Sequence, residues 1–339
     1  MKCVGWIVCA VFCILVVSFG FAQTQVIELK LAQWDPPQTM VAQFTQRMVD
    51  MINEKARGRL KITPYFGETL IKQPEHYRAT QLGVVDIAYF GPTAPGSPVL
   101  LGRIISLPFL GLTSHEMVTD VYKKLFNESP ELRAEYKGLK VMGIFGIPGD
   151  NFHMTKKLIR IPSDAKGIKI IALGGPRAEF LKEIGASPVT IPVGEWYTSL
   201  ERGLVEGLFF LNPVLSVFKL EDLFKYHTIV NASFGLNMWI FNEQKWNSLP
   251  PDLQNIIIEG MEWRVKEIHK FDKNEDIRII EYAKSKGHTV YYPTEEEMKL
   301  WREVAKPIHY KWIEEMESKG LPARKVYNRL QRIIKEYRS

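Results

Sequence analysis

The chain has 339 residues, of which 46% are hydrophobic and 24% charged, so it can bury one large core or two medium ones and has no stretch with the composition of a disordered tract. Its formal net charge is +6, from 44 Lys and Arg against 38 Asp and Glu. The basic residues are dispersed, which argues against nucleic-acid binding, although a positive excess attracts anionic solutes in general. The densest basic stretch, Arg324 to Arg338, has the pattern of a solvated helix face.

The first 22 residues have the pattern of a secretory signal peptide. Lys2 precedes an apolar run from Val4 to Phe19, and Gly20-Phe21-Ala22 leads into the polar Gln23. An uncleaved membrane anchor is the alternative, but the run is slightly short of the ~20 residues that span a bilayer. We therefore predict a signal peptide over residues 1–22, its cleavage, and export to the periplasm.

All three cysteines, Cys3, Cys9 and Cys13, lie inside this leader. The mature chain can therefore form neither a disulfide nor a thiolate metal site, which fits a bacterial periplasm better than a eukaryotic extracellular space.

Downstream of the leader, strand and helix patterns alternate and predict a largely parallel α/β unit up to about residue 147. The pattern restarts after Pro148-Gly149-Asp150 and predicts a second α/β unit. A strand over 236–242 returns toward the first unit. The predicted strands of the two units cover 26–34, 59–66, 85–91, 139–146, 153–157, 167–173, 187–191 and 205–211, and the helices between them cover 40–56, 75–83, 114–132, 177–184 and 195–202.

The longest helical pattern runs from Pro250 to Lys286 and ends at Gly287, a typical helix C-terminus. Its apolar stripe consists of Leu253, Ile257, Met261, Val265 and Ile268. A capping box, Thr294 with Glu297, starts another helix, whose aromatic and apolar stripe reads as core packing. The members of that stripe are Met298, Trp301, Ala305, Ile308, Trp312 and Met316.

Two α/β units joined by more than one crossing, with a long helix across both, predict a bilobal fold of the periplasmic-binding-protein type. We assign residues 23–147 and 234–264 to the first lobe, and residues 148–233 and 265–339 to the second, and we expect a monomer.

Motifs of common enzyme classes are absent from the sequence: it has no G-x-S-x-G, no H-E-x-x-H, no G-x-x-x-x-G-K-[ST] and no G-x-G-x-x-G. The seven histidines are not spaced to share a metal on one helix face. We predict a protein without catalytic residues, metal or cofactor; a secreted enzyme with an unmarked site is the alternative.

The segment from Lys157 to about Val230 resembles the periplasmic solute receptors of tripartite ATP-independent periplasmic (TRAP) transporters, the DctP type. The resemblance is carried by "KKLIRIPSDAKGIKI" and "EIGASPVTIPVGEWYTSLERGLVEGLFF", and it extends to "LGVVDIAYFG" and "NEQKWNSLPPDLQNII". The matching positions are Arg160, Pro162, Asp164, Lys166, Gly167, Gly185, Pro188, Glu195, Tyr197, Leu200, Gly203, Glu206 and Gly207.

The resemblance implies that a small organic acid is captured between the lobes, that the lobes close by hinge bending, and that the acid is delivered to membrane subunits driven by an ion gradient. A subunit that senses solutes for a membrane kinase is the competing interpretation.

The chain departs from the family pattern at Ile171. Receptors of this family usually carry an arginine there, after Lys169-Ile170, and its planar guanidinium binds the ligand carboxylate through two parallel hydrogen bonds. A nearby substitute is a helix that starts at Pro176, after Gly174-Gly175, because its free N–H groups and Arg177 could bind an anion. Alternatively, Arg177 points into solvent.

Ligands of open α/β sheets bind beyond the carboxyl ends of the strands. The predicted strand ends and crossings carry several aromatic side chains, and with an aliphatic residue at 171 they favour a bulkier, more apolar organic anion over a small dicarboxylate. The predicted ligand-binding residues are Trp34, Phe90, Phe152, Ile171, Gly174, Arg177, Phe210, Asn212 and Trp239.

Overall fold

The computed structural model describes residues 26–94 and 96–338, so the predicted signal peptide lies outside the described residues. The strands are β1 Ile27–Ala32, β2 Leu60–Tyr65, β3 Ile87–Phe90, β4 Leu139–Ile147, β5 Asn151–Met154, β6 Lys169–Ile171, β7 Ser187–Val189, β8 Gly207–Phe210, β9 Tyr226–Thr228, β10 Gly235–Asn242 and β11 Thr289–Tyr291. The α-helices are α1 Met40–Lys55, α2 His76–Gln81, α3 His115–Glu128, α4 Pro130–Ala134, α5 Pro176–Glu183, α6 Trp196–Glu201, α7 Pro213–Val217, α8 Glu243–Asn247, α9 Pro251–Ser285, α10 Glu295–Ser318 and α11 Ala323–Arg338. Short 3-10 helices cover Gln73–Glu75, Leu101–Ser106, Pro162–Ala165 and Val193–Glu195.

The first lobe is built on a five-stranded sheet in the order β2-β1-β3-β10-β4. Strands β1, β2 and β3 are parallel, whereas β10, which returns from the second lobe, is antiparallel to both of its neighbours. One face of the sheet packs against α1 and the first half of α9, and the other packs against α2 and α3. The prediction that 236–242 returns to the first sheet is thereby confirmed.

The second lobe is built on a six-stranded sheet in the order β11-β9-β5-β8-β6-β7. It is mixed, because β5 runs antiparallel to both β8 and β9 while the remaining pairs are parallel. The prediction of a largely parallel sheet concerns the first lobe, where β10 runs against the other four strands; it does not extend to this lobe. Strand β5 follows a crossing from the first lobe, not a helix, so no right-handed crossover forces it to be parallel.

Two strand crossings and one helix connect the lobes. The first crossing, Pro148–Asp150, leads from β4 to β5, and the second, from 229 to 234, leads from β9 to β10. The two crossings touch at Gly149, where a Cβ would lie 2.8 Å from Asn231 Cα. Glycine is required here by this close approach. Together with α9, which contacts α1 and β4 in one lobe and α7 and β11 in the other, they form the bilobal α/β fold of periplasmic binding proteins.

The last two helices cover both lobes. Helix α10 begins at the predicted capping box of Thr294 and Glu297, and it packs against α5 of the second lobe. Helix α11 packs against α3 of the first lobe, with an ion pair from Lys124 to Glu336 at 2.6 Å, whereas the prediction assigns all of 265–339 to the second. The predicted helix over 114–132 is broken at Ser129, because Pro130 cannot continue the α3 hydrogen-bond ladder.

The predicted stripe of α9 is buried throughout, and Gly287, with φ of +73°, follows its C-terminus as expected. Among the described residues, no helix is both long enough and apolar enough to cross a membrane.

Candidate functional site

An aromatic cage surrounds a fully buried arginine in the first lobe. Strands β3, β4 and β10 are neighbours, and Trp239 is paired with Tyr89 in their register. The guanidinium carbon of Arg264, from α9, lies 4.5 Å from the ring centroid of Phe145, 5.4 Å from that of Tyr89 and 5.8 Å from that of Trp239. Gly143 on β4 makes room for the indole, since a Cβ there would lie 2.5 Å from Trp239 Cδ1. We call these three rings and Arg264 the Arg264 cage.

The charge of Arg264 has no ion-pair partner among the described residues. None of its three guanidinium nitrogens makes a hydrogen bond, and although the Tyr89 hydroxyl lies near, no well-formed bond joins them. Asp35 and Asp272 lie within electrostatic reach, but neither carboxylate approaches to within 4.0 Å. Burial and the neighbouring Asp276 raise the pKa of Asp272 to about 8, against the opposing effect of Arg264. Asp272 is therefore mostly protonated at neutral pH and compensates Arg264 only in part.

A second arginine, partly buried in the second lobe, has a counter-ion. Arg177, in the first turn of α5, donates from Nε to Asp150 Oδ2 at 2.6 Å, and its guanidinium carbon lies 5.1 Å from the Phe210 ring centroid. Asp150 has no exposed surface, and burial raises the pKa of its carboxyl to about 6, while Arg177 opposes the rise. Its backbone joins the two crossings, because its N–H donates to Ser233 O and its carbonyl accepts from the Ala232 N–H. Arg177 is therefore paired with a buried carboxylate of the chain itself, at the point where the two crossings meet.

Two asparagines extend this network to the long helix. The Nδ2 of Asn151 donates to Asn212 Oδ1 at 3.0 Å, while its Oδ1 accepts from the backbone N–H groups of Val230 and Asn231. Asn212 also lies close to Asp276 of α9, and burial raises the pKa of that carboxyl to about 7 while Asn212 opposes the rise. Because Arg264, Asp272 and Asp276 follow one another along α9, this helix links the cage of the first lobe to the Arg177–Asp150 pair of the second.

The structure brings some of the predicted ligand-binding residues together. Trp34 is half-buried at the carboxyl end of β1 and packs on Tyr89, with ring centroids 4.5 Å apart, so it adjoins Trp239 in the cage. Phe210 and Arg177 are in contact in the second lobe, and Asn212 joins them through the crossing. These two groups lie at opposite ends of the α9 segment 264–276.

Three other predicted residues lie in the hydrophobic cores and present almost no surface. Phe90 is on the opposite face of its sheet from Tyr89 and packs among other aromatic rings. Phe152 stacks on Phe209 at 4.6 Å, and Ile171 lies in an apolar cluster with Leu208. Their strands have covered faces on both sides, because helices pack on each face, so a strand-end position does not by itself expose a side chain.

Gly174 is exposed, and a Cβ added there would meet no atom within 4 Å, so close packing does not explain this glycine. The helix that follows it starts at Pro176 as predicted, after Gly175 with φ of +67°.

Two cavities lie elsewhere, and none of the nine predicted residues lines either. One, of about 390 Å³, lies beside the crossings and is lined by Thr113, Ser114, His115, Glu116, Pro148, Gly149, Asn231, Phe234, Lys273 and Asp276. The other, of about 500 Å³, lies on the first lobe between β4 and α9 and is lined by Lys123, Lys140, Met142, Gly143, Ile258, Met261, Glu262, Val265 and Lys266. No group of three or more potential metal ligands occurs within 26–94 and 96–338.

The sequence analysis missed Arg264 and the role of Asp150. The burial of Arg264 could have been predicted from the sequence, because the residue lies on the apolar stripe of α9, between Met261 and Ile268, where a charged residue is unusual. The role of Asp150 could not, since an aspartate after Pro-Gly is an ordinary turn residue.

The comparisons with known proteins all indicate the same family. The family model for DctP, a bacterial extracellular solute-binding protein of family 7, matches residues 31–315. The C4-dicarboxylate-binding periplasmic protein DctP of Rhodobacter capsulatus is 24% identical over 311 residues, which cover 89% of this chain and 91% of that protein.

Solved structures agree with this family. A TRAP periplasmic solute-binding protein from Desulfovibrio salexigens, an open complex, is 26% identical with a TM-score of 0.78, covering 92% of this chain and 96% of that one. A TRAP solute-binding protein from Rhodoferax ferrireducens, in complex with copurified benzoate, has the same fold at 22% identity, with a TM-score of 0.78 over 92% of this chain and 98% of that one.

Proposed function

Because this chain belongs to the DctP family of bacterial extracellular solute-binding proteins, family 7, we propose that it captures a bulky or aromatic organic acid and delivers it to TRAP membrane subunits. The function of the family is reception of a solute for transport, and it is not an enzyme class. The finer points, namely the ligand class, the binding residues and action as a monomer, are our proposals.

We base the proposed ligand class on one observation: the arginines near the proposed site lie against aromatic side chains, and among the described residues neither is paired with a second cation. Trp34, Tyr89 and Trp239 lie together in the first lobe, and Phe210 lies under Arg177 in the second. A flat apolar ligand gains more from such rings than a small dicarboxylate does, since aromatic pairs add about 0.5–1.5 kcal/mol beyond the area that they bury. A dicarboxylate needs two cationic partners, and Arg177 already has one carboxylate beside it.

The family relationship alone does not decide the ligand. The Rhodobacter capsulatus relative binds C4-dicarboxylates, whereas the Rhodoferax ferrireducens protein, which has this fold, holds benzoate. The fold can therefore accommodate an aromatic acid, and the choice between an aromatic acid and a dicarboxylate depends on the side chains at the site.

The proposed binding site lies between the lobes, with Trp34 and Trp239 contributed by the first and Arg177, Phe210 and Asn212 by the second. The crossings at Pro148–Asp150 and 229–234 are the proposed hinge. We further propose export with cleavage near Gln23, which intact-mass measurement of the periplasmic protein tests.

Calorimetric titration tests the ligand class, using benzoate and phenylacetate against succinate and malate, matched in buffer and ionic strength. We expect the aromatic acids to bind at least about tenfold more tightly, and small-angle scattering to show a smaller radius of gyration at saturation. Tighter binding of succinate would contradict the ligand class. Binding without a change of radius would contradict closure of the lobes.

A further inference from the structure

Arg264 is the only lysine or arginine among the described residues whose side chain is fully buried. A buried charge is retained when it is paired or hydrogen-bonded, because its desolvation otherwise costs several kcal/mol. The cage rings compensate part of this cost, since each cation–π contact contributes about 0.5–2 kcal/mol. The only acceptor that the rings carry is the Tyr89 hydroxyl oxygen, which forms no well-formed bond with the guanidinium and its five N–H groups.

A second donor without an acceptor lies in the same cage. The indole Nε1 of Trp239 is buried and makes no hydrogen bond among the described residues. The Tyr89 hydroxyl accepts from Asn237 Nδ2 at 2.7 Å and makes no hydrogen bond with the indole. The cage therefore contains an excess of buried donors, which is the chemistry of a site for an anion with two acceptor oxygens.

The cage is not isolated from the surface of the first lobe. Trp34, which follows β1, is partly exposed and packs on Tyr89. Asp35 beside it lies close enough to Arg264 for that charge to oppose the rise in its pKa that burial causes. The residues after β1 lie at the carboxyl end of a parallel strand, which is the edge where α/β sheets bind ligands.

The other positions that could hold a carboxylate are less suited to it. Ile171 stands where the family carries arginine, and its side chain lies in the apolar cluster of the second lobe. Arg177 is already bonded to Asp150, so an added anion there would face a neighbouring carboxylate. Arg264 has no such competitor at hydrogen-bond distance.

We propose that Arg264, on the long helix α9, is the residue that binds the carboxylate of the ligand, with the Trp239 indole N–H as an additional donor. The carboxylate-binding function thus moves from a strand of the second lobe to a helix of the first. This inference rests on the proposed function, and it specifies the ligand as an acid whose single carboxylate enters the cage and whose apolar body lies against Trp34.

The test compares each acid with its neutral amide: benzoate with benzamide, and phenylacetate with phenylacetamide. Calorimetric titrations use the full mature protein, Arg264→Gln, and Arg103→Gln as a matched control that removes an arginine outside the cage. In the wild type we expect the acid to bind at least about tenfold more tightly than the amide. Arg264→Gln should lose that factor for the acid and leave amide affinity unchanged, whereas Arg103→Gln should keep the preference.

A merely structural role of Arg264 would weaken the acid and the amide equally, so an unchanged ratio of their affinities would overturn the inference while leaving the receptor function intact. If the wild type bound none of the acids, the proposed ligand class and this inference would fail together. Where Arg264→Gln does not fold, Arg264→Lys replaces it. Lysine keeps the charge but cannot form the two parallel hydrogen bonds, and we expect at least an about fivefold loss for the acid alone. Unchanged acid affinity in that variant would equally refute the proposal.

Discussion

Two arginines in this receptor, Arg264 fully buried and Arg177 partly buried, have opposite surroundings. Arg177 lies against Asp150 at 2.6 Å, so its charge is compensated inside the protein, and the pair connects α5 to the first crossing. Arg264 lies among three aromatic rings, and no carboxylate of the described residues lies within 4.0 Å of it. Both guanidinium groups lie against aromatic rings, so the two arginines differ in whether a carboxylate compensates the charge.

The comparison separates a structural cation from one that is available to a ligand. A paired arginine contributes to folding, because removing it leaves a buried carboxylate without compensation. An arginine with no counter-ion contributes little to the empty protein, yet it can contribute fully to binding, because the ligand supplies the missing acceptor. Arg177 was predicted from its place at a helix N-terminus, and the missing counter-ion is the reason why we propose Arg264 instead.

The largest effect on stability is expected when a third cation is introduced at a buried position that has neither aromatic rings nor a carboxylate around it. Ile171→Lys places an ammonium in the apolar cluster of the second lobe, and we expect unfolding free energy to fall by roughly 3–5 kcal/mol, with weaker ligand binding. Urea denaturation measures the loss. Ile171→Met is the control, since a swap of similar volume should cost less than ~1.5 kcal/mol. Similar stability of the two variants would mean that position 171 can reach water.

The comparison of the two arginines is tested most directly with the same substitution at both. Arg177→Met should reduce unfolding free energy by roughly 3 kcal/mol, because it leaves Asp150 buried and unpaired. Arg264→Met should change it by less than ~1 kcal/mol, because it removes an uncompensated charge and keeps most of the packing on the rings. Adding Asp150→Asn to Arg177→Met should recover part of the loss. Equal losses at both positions would show that Arg264 is also compensated within the protein.

The smallest effect is expected on the pH dependence of stability, from Asp272, a buried carboxyl group within electrostatic reach of Arg264. The pKa of Asp272 is raised to about 8 by burial and by Asp276, against ~3.9 in an unfolded chain. The folded state therefore holds the proton more tightly, so the stability contribution of Asp272 is complete below about pH 4 and is lost as the pH rises through about 8.

Asparagine cannot ionise, so Asp272→Asn should reduce the fall in thermal midpoint between pH 5 and pH 8, by at least ~3 °C. Differential scanning calorimetry at the two pH values measures it. Asp222→Asn is the control, because the Tyr282 hydroxyl lowers the pKa of that exposed carboxyl and its titration lies below this window. An unchanged pH dependence in Asp272→Asn would mean that Asp272 is ionised at neutral pH and neutralises Arg264.

Local patterns in the sequence determined most of the elements and the family. The helix stripes of α9 and α10, the capping box at Thr294 and the terminal Gly287 were all readable, because side-chain periodicity and helix ends depend on neighbours within four residues. Short strands such as β9 and β11 were missed. Three residues carry little periodicity, although β6 and β7, which are equally short, were predicted within longer apolar runs; β9 and β11 exist because they pair with partners distant in sequence.

Only the tertiary structure decided which charged groups are paired. Arg177 and Asp150 are 27 residues apart, and the three rings around Arg264 come from separate strands, so no local pattern links them. A sequence can show that an arginine interrupts an apolar stripe, as Arg264 does on α9. Whether that charge meets a carboxylate or an aromatic ring depends on how the strands are ordered in the sheet and which faces the helices cover, because both are set by contacts between distant segments.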